Sequence, residues 1–443
     1  MRVAFETLGC RLNEAEAEAW ARQFAARGAR IVPVDQAEVV VLNTCAVTQE
    51  AVRKSRHLIR GIRRANPSAQ LVVSGCYATL HPSEAAAALG ADLVIVNRDK
   101  DQLVELTKAW LEENFTFQES EAVFPRSRQR AFVKVQDGCR HRCTFCIVTV
   151  ARGQERSRPI SEVVEEIRTL QAYGVQEVVL TGVHLGGYGS DLGVRLEHLI
   201  AAVLEDTDLP RLRLGSLEPW EISAAFFKLF HNPRLMPHLH LPLQSGSDRV
   251  LRRMGRRCRR RDFIELMALA RRYCPDLNVT TDIIVGFPGE TEADFDQTLT
   301  LVEEVGFSHV HIFPYSPRAG TVAARFSDQI PQAVKRARSQ TLHALTARLR
   351  RAALEKHLGR IEPVLWEKHQ ALENDWVFFG YTPHYLRVQM VMPAGVDLTN
   401  TILPVRLGNI TPQGDKLVAE PILSEHQQNR WLPQSLPPAA EKR

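Results

Sequence analysis

Cys139, Cys143 and Cys146 fall within "DGCRHRCTFC", a C-x3-C-x2-C spacing that lets one loop wrap three thiolates around a compact centre. Thiolates so spaced suit zinc or an iron-sulfur cluster. Structural zinc asks for a fourth ligand. His141 stands inside the loop, but it sits between Arg140 and Arg142, where a solvated basic residue is the ordinary reading, and no second C-x2-C pair follows. Three thiolates on a four-iron cube leave one iron open, and an open coordination position is what separates reactive from structural metal sites.

A second set of three is dispersed. Cys10, Cys45 and Cys76 each lie one or two residues past an apolar run, in "LGC", "NTC" and "SGC". Open α/β sheets bind ligands at the carboxyl ends of their strands, so three strands in register would bring these thiols to one edge. A small apolar cysteine also packs where strands end; three in register favour a shared ligand.

The elements that must position these residues follow from the patterning. Up to residue 114 apolar runs such as "AEVVVLNTC" and "AQLVVSGC" alternate with helical periodicity, as in "EAEAEAWARQFAARGA", which predicts an open parallel α/β sheet domain. Residues 115–130 break the rhythm and read as a linker. The alternation resumes over 131–358 with six candidate strands, "AFVKVQDGC" to "HVHIFPYSPR". Six βα units fit a partial (β/α)6 TIM-like barrel, since a full barrel typically takes about 250 residues. Short strands over 359–424 predict a small all-β barrel. The polar, Pro-rich 425–443 read as a disordered tail.

Composition is permissive. The 443 residues are 44% hydrophobic with a net charge of +5 and a pI near 8.8, compatible with nucleic acid without selecting it. Eight cysteines are far too few for a disulfide scaffold and point to a reducing compartment. "MRVAFETLGC" does not read as a secretory leader, and no apolar run approaches the ~18 residues of a membrane span, so a cytoplasmic, membrane-free protein is expected.

"CRHRCTFC" resembles the radical S-adenosylmethionine signature. "TLGCRLN", "NTCAVT" and "SGCYA" are similar to the N-terminal cluster domain of the methylthiotransferases, "HLPLQSGSDRVLRRM" and "TDIIVGFPGETEADF" to their radical SAM barrel, and "GYTPHYLRV" to their RNA-binding TRAM domain. "NTCAVT", "GCYA", "TGVHLGGYG" and "SLEP" look most like the branch that modifies N6-threonylcarbamoyladenosine beside the tRNA anticodon. The resemblance implies two 4Fe-4S clusters, one on Cys139, Cys143 and Cys146 that binds S-adenosylmethionine, and an auxiliary one on Cys10, Cys45 and Cys76. It implies tRNA as substrate, a reducing electron donor such as flavodoxin or ferredoxin, and a sulfur source. In the family one S-adenosylmethionine methylates a cluster-borne sulfur and a second supplies the radical. Two departures stand out: "IVTVARG" (Ile147 to Gly153) in place of "IPxxRG", and Cys258 where the family places Tyr. The rivals are methylthiolation of isopentenyladenosine or of a ribosomal-protein aspartate, and a non-catalytic zinc or iron-sulfur RNA-binding protein.

The resemblance also implies cofactor contacts at Phe145, where the superfamily often has an aromatic near the adenine, and at Gly286 in "GFPGE". Glu218, Gln244 and Ser245 fall at predicted strand ends on the barrel rim and are expected to contact the cofactor, whereas "LGGYG" lacks a phosphate-loop pattern and reads as a flexible loop. "RRMGRRCRRRDF" supplies Arg256 and Arg257 as expected phosphate contacts. Tyr381, Tyr385 and Arg387 in the last domain are expected to stack on or pair with RNA.

Overall fold

The computed structural model describes residues 1–88, 90–114 and 129–422. The expected linker, but for residues 129 and 130, and the expected tail lie outside the described residues.

The N-terminal sheet is all parallel, in the order β2-β1-β3-β4-β5, with β1 Arg2–Thr7, β2 Arg30–Ile31, β3 Val39–Thr44, β4 Gln70–Gly75 and β5 Leu93–Ile95. β3 is buried at every position, which is what its uninterrupted "VVVLNT" requires of a strand covered on both faces. The strand order reverses between β1 and β3, the place where such sheets open a crevice at their carboxyl ends. Cys10 follows β1, Cys45 follows β3 and Cys76 follows β4, three adjacent strands.

The central region holds six parallel strands in sequence order: β6 Arg130–Asp137, β8 Glu177–Gly182, β9 Arg211–Leu214, β10 His238–His240, β11 Asn278–Val285 and β12 His309–Pro314. The two-residue β7 Arg156–Ser157 pairs antiparallel with β6, and bridges at Leu212–Leu235 and Ser216–His240 join β9 to β10. Alternation sorts the faces. Val133, Val135, Val178, Leu180, Leu212 and Leu239 enter the main core with the surrounding helices, while on the inner face Glu177 pairs with Arg213 and Asp282 lies 3.2 Å from His240. Among the described residues β6 and β12 do not pair, so the barrel is the expected incomplete one. Helix Arg11–Ala26 of the N-terminal region packs on β6, its Ala15 clustering with Phe132 and Val179, and helix Gln332–Glu355 lies along β12.

β13 Ile361–Leu372, β14 Asp375–Tyr381, β15 Arg387–Pro393, β16 Ile402–Ile410 and β17 Leu417–Pro421 close into a barrel around Trp366, Phe378, Val388 and Leu407, as expected of a TRAM-type domain. It docks under the amino ends of the central strands. Arg211 donates to Tyr381 O at 3.1 Å, Arg213 to Pro383 O at 3.1 Å and Asn278 to His384 O at 2.6 Å. The Cys139 loop leaves the opposite end. Among the described residues no helix is long and apolar enough to cross a membrane.

Candidate functional site

The Cys139–Cys146 loop is shaped by its backbone. Gly138 turns with φ +75°, and a Cβ there would collide with the carbonyl of Gln154. Cys139 N donates to Gly153 O at 3.1 Å and Cys146 N to Cys143 O at 3.1 Å, folding the loop on itself. Two backbone N–H groups point at sulfur, His141 N to Cys139 Sγ and Val148 N to Cys146 Sγ, each at 3.4 Å, and Arg256 Nη1 lies 4.0 Å from Cys143 Sγ. Burial pushes the Cys139 thiol up to about 11 and Cys146 up to about 12. Such sulfurs become thiolates when a strong positive centre replaces their protons, which suits a metal cluster.

His141 is not offered to these thiols. Its Nε2 lies 2.9 Å from His184 Nε2 and 3.3 Å from Glu221, while His184 bonds Glu221 at 2.6 Å and also Glu155. Burial alone would raise the Glu221 carboxyl; hydrogen bonds from the two histidines hold it down at about 2. "TGVHLGGYG", quoted above only for its resemblance, thus supplies in His184, just before the "LGGYG" read as a flexible loop, a buried histidine that braces the cysteine loop. A polar residue two positions past a buried strand was the available signal.

The second set converges as its strand ends require. Cys45 and Cys76 are buried and Cys10 is exposed. Desolvation chiefly raises the Cys10 thiol, with a smaller push from Cys76, and burial chiefly lifts Cys45 to about 11, with smaller pushes from Cys76 and Cys10. A Cβ on Gly9, at φ +126°, would sit 2.7 Å from Cys45 Cβ, so glycine permits the close approach of the two loops. Asn13 clips them together by donating to Leu8 O at 2.8 Å and Thr44 O at 3.1 Å. Asn97 donates to Cys76 Sγ at 3.7 Å.

Polar contacts join the two sets. Asn97 also donates to Ala151 O at 2.7 Å, and Arg152 reaches Glu16 and Asp137 at 3.0 Å each and Asn13 at 2.8 Å. Lys100, with no solvent exposure, completes the cluster at 2.5 Å from Glu16. Two cations and two carboxylates neutralise one another, which is what makes burying all four tolerable. None of these residues stood out in the sequence as functional.

The remaining expected contacts divide. Glu218 pairs bidentately with Arg256 at 2.9 and 2.6 Å, beside Cys143. Phe145 packs against an apolar group containing Met254, Phe287 and Tyr315. Gly286, at φ +69°, gives its N–H to Glu290 at 2.7 Å, and Gln244 adopts φ +72° where it bridges to Ile283. Ser245 is fully buried and bonds to Thr298 and Ser247, so it braces the turn after β10 rather than presenting a free hydroxyl. Arg256 corrects the expectation of a phosphate contact. It is 4% exposed, paired to Glu218 and seated over the Trp220 ring, whereas the adjacent Arg257 is exposed. Tyr385 is a second correction. Its ring stacks on Tyr381 at 4.8 Å, and its hydroxyl accepts from Arg11 at 2.7 Å and Arg130 at 3.2 Å, which places it in the domain seam rather than on a free RNA face. Arg387 is exposed.

The chain matches the Radical SAM superfamily over residues 133–302 and the uncharacterized protein family UPF0004 over residues 2–96. It is 37% identical to the threonylcarbamoyladenosine tRNA methylthiotransferase MtaB of Thermotoga maritima, over 88% of this chain and 91% of that one. This chain belongs to the radical S-adenosylmethionine methylthiotransferase family. A tRNA-2-methylthio-N(6)-dimethylallyladenosine synthase of Lawsonia intracellularis is 32% identical, over 94% of this chain and 98% of the other. A radical S-adenosylmethionine methyltransferase of Kitasatospora setae, TsrM, shares the fold with a TM-score of 0.56 at 15% identity, over 73% and 77% of the two chains. Membership brings a 4Fe-4S cluster and S-adenosylmethionine. In this methylthiotransferase the departure "IVTVARG" keeps Arg152 at the junction of the two cysteine sets, and Cys258 lies in the main apolar core.

Proposed function

We propose that this methylthiotransferase inserts a methylthio group at C2 of N6-threonylcarbamoyladenosine beside the tRNA anticodon, with one 4Fe-4S cluster on Cys139, Cys143 and Cys146 and a second on Cys10, Cys45 and Cys76. The observation that carries it is the convergence of two three-thiol sets on one buried polar bridge, Arg152 with Glu16, Asp137 and Asn13. The adenine C2–H is not acidic enough for a side chain to remove. When bound, the clusters supply the electron that makes S-adenosylmethionine a radical source and the site that carries the sulfur.

The chain's own residues hold and orient. N–H donors from His141 and Val148 stabilise sulfur charge. Arg256 fixes Glu218 at the rim and adds positive charge beside Cys143. The His141–His184–Glu221 group holds the cysteine loop in register. Exposed Arg257 and Arg387 are the candidate phosphate contacts. The reaction draws on a reducing electron donor and a sulfur source, in the cytoplasm.

The test is mass analysis of tRNA nucleosides from cells with and without the gene. Loss of methylthio groups from threonylcarbamoyladenosine alone is the expected result. Loss from isopentenyladenosine instead would replace the substrate, and no change in any methylthio nucleoside would remove the reading.

A further inference from the structure

We propose that Arg11 determines substrate specificity by pairing with the carboxylate of the threonylcarbamoyl group. This rests on the substrate reading above and adds the residue that would make it selective.

Arg11 directly follows the exposed Cys10 and opens the helix that packs on β6 at the unpaired side of the barrel. Its guanidinium lies 5.9 Å from the Phe132 ring centroid and 5.5 Å from that of Tyr385, and it donates to the Tyr385 hydroxyl at 2.7 Å. Among the described residues no carboxylate forms an ion pair with it. That sets it apart from its neighbours: Arg130 pairs with Glu367, Arg213 with Glu177, and Arg152 with Glu16 and Asp137. A half-buried arginine held by aromatic faces and one hydroxyl keeps most of its donor fork free.

Exposed side chains of β12 lie near it. His311, on β12, is exposed and feels the positive charge of Arg11, and Phe313 beyond it is 44% exposed. Across the interior the Asp282 carboxylate lies 3.2 Å from His240 Nε2 and forms no ion pair with Arg11. A base entering between β12 and Cys10 would meet the guanidinium of Arg11, with that of Arg387 also within electrostatic reach of His311. C2 and the N6 substituent belong to the same purine, a few bonds apart. A substituent carrying a carboxylate would thus reach the residue next to Cys10 while C2 faces the thiols. A neutral alkyl substituent would desolvate Arg11 without pairing it, the arrangement by which a polar site rejects an apolar analogue.

The experiment uses the anaerobically reconstituted enzyme and three anticodon stem-loop RNAs bearing threonylcarbamoyladenosine, its neutral threonyl methyl ester, or isopentenyladenosine. Dissociation constants, KM and kcat are measured for wild type, Arg11→Gln and Arg11→Lys. A charge-assisted pair predicts that wild type prefers acid over ester by about 10- to 100-fold. Arg11→Gln should reduce that preference to below about three-fold, mainly through affinity and KM, and Arg11→Lys should restore part of it. Iron content and RNA-independent cleavage of S-adenosylmethionine should not change in either variant. An acid preference in Arg11→Gln equal to wild type would overturn the assignment, as would acid and ester binding equally to wild type, which needs no variant to fold. A wild type inactive on threonylcarbamoyladenosine but active on isopentenyladenosine would instead overturn the substrate reading beneath it.

Discussion

Arg152 Nη2 donates to Asn13 Oδ1 at 2.8 Å, tying the residue three past Cys10 to the residue six past Cys146. The same guanidinium holds Asp137, two residues before Cys139, at 3.0 Å. One side chain therefore reaches both cysteine loops, and the spacing of the two thiol sets depends on it.

Removing that side chain leaves Glu16 and Asp137 buried with less compensating charge. Arg152→Met should destabilise the protein by about 3–5 kcal/mol, the usual cost of breaking a buried pair from one side. It should also lower methylthio product more than it lowers 5′-deoxyadenosine formation. Anaerobic denaturant unfolding and a paired product assay read the two effects. Equal loss of both products would mean that Arg152 serves only the S-adenosylmethionine site.

The adjacent arginines Arg256 and Arg257 should behave differently. Arg257→Ala is expected to weaken tRNA binding and to lower the slope of log affinity against log salt by about one. Arg256→Met should leave that slope unchanged and depress cleavage of S-adenosylmethionine, because Glu218 loses its bidentate partner beside Cys143. Filter binding across a salt series, with 5′-deoxyadenosine quantified in parallel, separates them.

Gly9 offers a geometric check on the dispersed set. Gly9→Ala places a methyl group 2.7 Å from Cys45 Cβ at a φ of +126° that alanine adopts poorly. About half the iron should be lost, with the Cys139 site retained. Iron analysis together with electron paramagnetic resonance of the remaining cluster measures this.

The seam between the long helix and the last barrel carries a pH response. Glu362 lies 2.5 Å from His357 Nδ1 and 3.4 Å from His384 Nδ1. Burial opposes ionisation, but these two bonds hold the carboxyl down at about 2, below its ordinary 4.5. A carboxyl lowered by folding contributes stability above about 4.5 and loses it progressively as pH falls toward about 2. Unfolding free energy measured from pH 7 to pH 3 should fall less steeply in Glu362→Gln than in wild type. Identical slopes would show that the pair does not contribute.

Much of this architecture was legible because backbone burial writes itself into strand composition. Runs such as "VVVLNT" must be covered on both faces, and a cysteine placed directly after each run marks one sheet edge. The identity of the inner barrel residues was less legible. His184, Glu155 and Glu221 come from three separate loops and meet only after the chain closes, and Arg152 finds its partners 136 and 15 positions away. Arg256 and Arg257 look alike in a run of arginines, yet the turn at Gly255, with φ +72°, sends one inward and leaves the next in solvent. Tyr385 was read as a stacking platform because its composition fits one, but the docking of the last barrel under β9 to β11 covers it.

The account rests on two clusters held by two thiol sets, and the iron content of three anaerobically reconstituted proteins tests that directly. Wild type should hold about eight irons per chain, and Cys45→Ala and Cys143→Ala about four each, the survivor in each case being the cluster of the untouched set. A Cys45→Ala protein that retains all the iron of wild type would contradict it.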